Sequence, residues 1–364
     1  MKVHIRRLSK LLLAFLVAYV VILMGGFFGV RYGLTNTTGV VDEESEVFQK
    51  SDDAVKTFEN SESKDDAVVN EVENKLNCQI NVIDEFAPIN AQQIRRTYIA
   101  TKSDGLTAKM ILAVSLRLGD SIAFKDHMEM CDGRGTPNGK LPIDISEGKN
   151  IFPWMNTEEW QSIITATKKD RDAIVQVGAV TGIAPRLIVS CMIVEQLRLF
   201  NSQRELFKKF FEPLKILGNA NKISLGVMGI KEATATQIED HLLDKVSPYY
   251  LGKDYEHSLD KITGSTFDRL TSENGHHYNS YLYGALYLKQ IMSQWKNAGF
   301  DIKYRPEIVG TLFNVGFPQS KPKADPKVGG SAISIGDAKY SFGSLAYEFY
   351  YSGEMQDEFP YIVK

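Results

Sequence analysis

Glu195 lies in "LIVSCMIVEQLRLF", Leu187 to Phe200, a stretch whose other residues are mostly apolar. At helical spacing Cys191 and Met192 fall at i−4 and i−3 and Leu199 at i+4, so the acid would share an apolar face. Poor solvation disfavours the charged carboxylate and keeps a proton available near neutral pH, as a general acid for glycosidic cleavage requires. Arg198 at i+3 offers the competing explanation, an ordinary surface ion pair that would favour the ionised form. The helix alone leaves both open.

Two further constellations invite chemistry. Cys191 shares the greasy helix and reads as a small buried hydrophobe, although His276 and His277 in "SENGHHYNS" are available if a thiol hydrolase is sought. In "HMEMC", His127, Glu129 and Cys131 alternate, so a strand would line up three ligands on one face. No fourth ligand follows at a matching spacing, and neither a metal nor another cofactor is expected. On an oxidising side of a membrane three cysteines leave one over, and Cys78 with Cys131, both in polar segments, is the pair to test.

The elements that must position Glu195 begin at Asn156, which with Glu159 three residues later makes a capping-box-like start. One long amphipathic helix is expected over "TEEWQSIITATKKDRDAIVQVGAV". "TGIAP" then breaks it, with Gly182 near the helix C-terminus and Pro185 suited to the first turn of the next helix, the one that carries the acid.

From about residue 160 to 350 the chain resembles the lysozyme-like lytic transglycosylase superfamily of peptidoglycan-cleaving enzymes. "VTGIAPRLIVSCMIVEQ" is similar to the family's helix, short G-[VI]-x-P link and buried helix ending in the catalytic Glu. "SLGVMGI", Ser224 to Ile230, resembles the S-x-G-x-M-Q-I segment, with Gly229 where Gln is usual. "NSYLYGALYLKQIMSQW" matches a family helix at Asn279, Gly284, Tyr287 and Leu288, and "GTLFNVGF" resembles Y-N-x-G, with Phe313 in the tyrosine position. The resemblance implies that Glu195 is the catalytic acid and that Ser224, Gly226, Met228, Asn314 and Gly316 bind glycan. Tyr350, in "KYSFGSLAYEFYYSGE" with Tyr347 and Tyr351, is a candidate to orient the acid or stack a sugar ring. Gln196 replaces the Ser that commonly follows the acid.

Ahead of this region, Leu11 to Val30 is a run of twenty uncharged residues, enough as a helix to cross about 30 Å of hydrocarbon. Lys2, Arg6, Arg7 and Lys10 precede it and only Arg31 follows closely, which places residues 1–10 in the cytoplasm and the remainder outside. Residues 36–75 hold twelve acidic residues against four lysines, so 31–75 reads as an acidic disordered linker, with a weak helix near Asp65 to Lys75 admissible. Residues 36–75 are −8 and residues 1–35 are +5; the whole chain is −3, so residues 76–364 are neutral, which argues against a nucleic-acid binder.

The expected architecture is therefore mainly α. A transmembrane helix over 11–30 and the linker precede an accessory region over 76–155 and a lysozyme-like helical domain over 156–364. The expected function is membrane-anchored cleavage of the bond between N-acetylmuramic acid and N-acetylglucosamine in peptidoglycan strands, outside the cytoplasm of a bacterial cell, with Glu195 as acid and no cofactor. The alternative, favoured by Gln196 and Gly229, is an inactive relative that binds glycan or scaffolds an envelope assembly. A second carboxylate for an inverting hydrolase would come from Glu205, Glu212, Glu232 or Asp240.

Overall fold

A computed structural model describes residues 10, 15, 17–19, 21, 24–25, 40–41, 66–132, 148–201, 224–272 and 276–362. The fold is mainly helical. Four helices come first: α1 (Asp66–Phe86), α2 (Pro88–Thr101), α3 (Asp104–Leu118) and α4 (Ile122–Met130). A 3-10 turn over Pro153–Asn156 leads into α5 (Glu158–Lys169), α6 (Arg171–Thr181) and α7 (Pro185–Phe200). Beyond these come α8 (Glu232–Leu243), α9 (Thr266–Thr271), α10 (Tyr278–Asn297), α11 (Pro306–Val315) and α12 (Phe342–Tyr351).

Strands are short and antiparallel. β1 (Val40–Val41) pairs with β4 (Gly329–Gly330), β2 (Ser224–Leu225) with β3 (Ile230–Lys231), and β5 (Ala332–Ile335) with β6 (Ala338–Ser341). α1 begins within the expected linker. Most of the expected membrane span lies outside the described residues; those of it that are described, residues 15, 17–19, 21, 24 and 25, are helical and exposed, and among the described residues no helix is long and apolar enough to cross a membrane.

One continuous core runs from Leu76 through Tyr361, so the described residues of 76–155 pack as part of the same body. Polar contacts join the two sides as well: Arg117 pairs with Glu348, whose other oxygen accepts from the Trp154 indole at 2.6 Å, and Asn150 bridges Asn90 and Glu354. Cys78 on α1 and Cys131 just past α4 are joined in a disulfide with Cα atoms 5.7 Å apart, and Cys191 is left as a buried thiol.

Three local expectations are corrected. The HMEMC segment is the end of α4 rather than a strand, so His127, Glu129 and Cys131 do not share a face; His127 faces Glu85 at 3.0 Å, and among the described residues nothing gathers as a metal site. The helix expected from Asn156 is capped one residue later, because Thr157 Oγ1 accepts from Trp160 N–H while Asn156 is spent on Asn150. It also breaks at Asp170, whose carboxylate accepts from the Tyr281 hydroxyl and meets His277 Nδ1, each at 2.8 Å. A side chain committed to those partners fixes a turn there, giving α5 and α6 in place of one helix.

The link before α7 behaves as its residues require. Gly182 closes α6 in the left-handed region at φ 71° and Pro185 opens α7. In the first turn of α7, Arg186 is fully buried, and its guanidinium donates to the carbonyls of Phe349, Tyr350, Glu354 and Phe359 at 2.8–3.3 Å. It also lies 4.1 Å from the centroid of the Tyr361 ring. A buried cation is tolerable only with such a full set of acceptors.

Candidate functional site

α7 places eight apolar or small residues, Leu187 to Val194, in the core before it reaches Glu195, which is 4% exposed and turned toward a cleft of about 920 Å³. The cleft is walled by the β2–β3 hairpin and the start of α8 (Gly229, Ile230, Lys231, Thr234), and by α11 with the segment that follows it (Phe313 through Ser331). Among the described residues Glu195 is the sole acid lining it.

The hairpin is held against the acid by small residues. Gly229, at φ +61°, has its Cα so close to Glu195 that a Cβ would stand 2.0 Å from Oε1. Gly226 leaves room for the Leu270 carbonyl and Ser280, whose hydroxyl accepts from Met228 N–H at 3.2 Å. Gly284 on α10 does the same for the Met228 side chain, which is wholly buried. Gln196, in the position after the acid, donates to the Val227 carbonyl at 2.7 Å and so ties α7 to the hairpin.

On the other wall Asn314 Oδ1 accepts from Ser331 N–H at 2.7 Å and from its hydroxyl at 3.0 Å, fixing the strand that carries Gly329 and Gly330. Gly316 caps α11 at φ 92° and lines the cleft beside Tyr287 and Phe317. Burial raises the pKa of the Tyr287 hydroxyl well above its ordinary value.

Glu195 is paired with Arg198, but the pair is buried rather than on the surface: the two side chains are 5% and 11% exposed. Nε of Arg198 donates to Oε2 at 2.9 Å and Nη2 donates to Oε1, so both carboxyl oxygens are engaged. In this arrangement both oxygens accept from the one guanidinium. Cys191, one turn back, is fully buried, and burial followed by the Glu195 charge holds its thiol well above the usual range. A thiolate nucleophile does not fit that environment.

The structure thus brings Glu195, Asn314 and Gly316 to one cleft. Gly226 and Met228 support the hairpin from behind instead of lining it. Of Ser224 the backbone pairs with Lys231. Tyr350 lies elsewhere: its ring packs on Tyr351 and Tyr361 near Arg186, its carbonyl is spent on Arg186 and the Tyr361 hydroxyl, and burial pushes its own hydroxyl up to about 12. Tyr347 and Tyr351 are likewise core residues. Glu205 and Glu212 lie outside the described residues, and Glu232 and Asp240 do not line the cleft.

Arg198 and a set of lysines, Lys231, Lys321, Lys323 and Lys327, line the cleft without having been expected there. The visible trace of the latter is "SKPKADPKVGG", three lysines among prolines just after the Asn314 segment. No known protein family, curated protein or solved structure matches this chain.

Proposed function

We propose that the chain is a lysozyme-like, peptidoglycan-cleaving enzyme in which Glu195 acts as general acid and then base on the bond between N-acetylmuramic acid and N-acetylglucosamine. The observation that carries this reading is a single buried carboxylate facing a cleft walled by the two segments, Gly229–Lys231 and Asn314–Gly316, that follow it in the order the family resemblance requires.

Glu195 gives its proton to the bridging oxygen as that oxygen's bond to the muramic anomeric carbon breaks and oxocarbenium character develops. The muramic 6-hydroxyl then bonds to the anomeric carbon and returns its proton to Glu195, leaving a 1,6-anhydro end. No second carboxylate takes part, in keeping with Glu195 being the sole acid lining the cleft among the described residues. Before the first step Arg198 has to release a carboxyl oxygen, and the entering glycan supplies the competing contacts. The basic-flanked apolar segment at Leu11 to Val30 would anchor the body to the membrane, with residues after it outside the cytoplasm of a bacterial cell, and the Cys78–Cys131 disulfide suits that oxidising side.

A second reading is a glycan-binding or scaffold module with no turnover. The specific observation in its favour is the guanidinium that occupies both oxygens of Glu195.

The test is incubation of the full chain, purified in mild detergent, with peptidoglycan, followed by mass analysis of released muropeptides. The enzyme reading expects anhydro ends from the native protein and none from Glu195→Gln. Binding to the sacculus without release by either protein would establish the second reading and refute the first.

A further inference from the structure

The charge on the cleft walls does not suit a neutral sugar backbone. Among the described residues five cationic side chains line it, Arg198, Lys231, Lys321, Lys323 and Lys327, with one carboxylate, Glu195, which Arg198 engages. Residues 76–364 carry no net charge overall, so the excess is concentrated here. Lys321, Lys323 and Lys327 are exposed, and among the described residues none of them has a carboxylate in ion-pair reach. Pro326 and Val328 are buried between and beyond them, which fixes the backbone while the ammonium groups extend from it. Unneutralised like charges held together on a cleft wall cost self-repulsion, and they focus a positive potential into the opening.

Resting on the glycan-cleaving reading of the same cleft, we infer that Lys321, Lys323 and Lys327 bind the carboxylates of peptide arms, so that the substrate is a peptide-bearing strand rather than bare glycan. In a peptide-bearing strand each muramic lactyl carboxyl is taken up in the amide to its peptide, so the sugar backbone is uncharged and the negative charge resides in the peptide arms and in any attached polymer. Lysines on long flexible stems act as point charges and accommodate carboxylates at varied positions along an arm. Phosphate-bearing polymers attached to the same strands are the other source of negative charge, and the experiment separates the two.

Full-length protein is sedimented with three insoluble glycans at rising salt: peptide-bearing strands freed of phosphate polymer, the same strands with phosphate polymer retained, and chitin, whose N-acetylated sugars carry no charge. The Lys321→Gln, Lys323→Gln, Lys327→Gln triple variant is compared with a triple variant at exposed lysines outside the cleft, Lys261→Gln, Lys296→Gln and Lys339→Gln. The expected result is about tenfold weaker low-salt binding to peptide-bearing strands by the cleft variant alone, since exposed pairs contribute on the order of 0.2–1 kcal/mol each. Its binding to chitin should match the native protein. Equal loss in both triple variants, or a loss that requires the phosphate polymer, overturns the inference while leaving the cleavage reading intact. A native protein that neither binds nor cleaves any strand overturns both.

Discussion

Gly229→Ala tests the seat of the acid directly. A Cβ at that position would stand 2.0 Å from Glu195 Oε1, 2.4 Å from Cδ and 2.5 Å from Cγ, where ordinary contact begins near 3.4 Å. Either the carboxylate or the hairpin must therefore move by 3.4 − 2.0, or 1.4 Å, enough to break a hydrogen bond to Arg198. Two costs add. An L side chain at φ +61° loses about 1–2 kcal/mol, and overpacking a fixed site loses about 1–3 kcal/mol, for a total of about 2–5 kcal/mol. Gly336, at φ +58° in the β5–β6 turn with nothing within 4 Å of its would-be Cβ, isolates the first cost. Urea unfolding of the full chain should show Gly336→Ala losing about 1–2 kcal/mol and Gly229→Ala clearly more. Muropeptide release should fall with Gly229→Ala and hold with Gly336→Ala. Equal stabilities for the two variants would refute the packing of Glu195 against Gly229, and with it the account of how the acid is aimed.

Three further outcomes are expected. Arg198→Ala leaves a carboxylate in the core without its guanidinium and should cost about 3–5 kcal/mol in urea melts; a loss under 1 kcal/mol would place the pair on the surface after all. Reducing the Cys78–Cys131 disulfide, whose partners are separated by 53 residues, should remove about 4 kcal/mol by the chain-entropy relation, and an unchanged urea midpoint with dithiothreitol would contradict that. His241 has its pKa lowered, chiefly by burial beside Tyr249 and Phe317 and only partly offset by Asp240 and Asp244. Because the unfolded chain holds that proton more readily, this contribution to stability is complete above about pH 6.5 and is lost as pH falls through the folded pKa. Stability measured from pH 8 to 5 should therefore fall further in the native protein than in His241→Phe.

Much of the fold was legible where a residue has one plausible job. Gly182 and Pro185 marked the link before α7, and apolar spacing marked α7 and α10, because backbone freedom and helical period act within a few residues. The break at Asp170 was not legible, since it is set by Tyr281 and His277, more than a hundred positions away. HMEMC misled because alternation over five residues suits either a strand face or the end of a helix, and α4 settles it by packing Phe124 into the core. At the site, the i+3 spacing of Arg198 announced the ion pair, but whether that pair sat in water or in a cleft depended on the hairpin and α11. The lysines give no signal in the sequence for a related reason: charge clustered in a loop is ordinary until the fold turns it toward a cavity. Gln196 looked like a departure and proves to brace the hairpin, a task visible only once Val227 is nearby.

The acceptors of Arg186 lie 163 to 173 positions farther along the chain. On a ribosome, the helix that bears Glu195 emerges long before anything exists to neutralise the cation in its first turn. Closing that helix into the interior early would strand a guanidinium in oil, so the body must stay open until residues 349 to 359 are made. Closure of the body is thereby tied to the appearance of that later segment, and a nick near residue 349 would undo the hold on the acid's own helix from the far side.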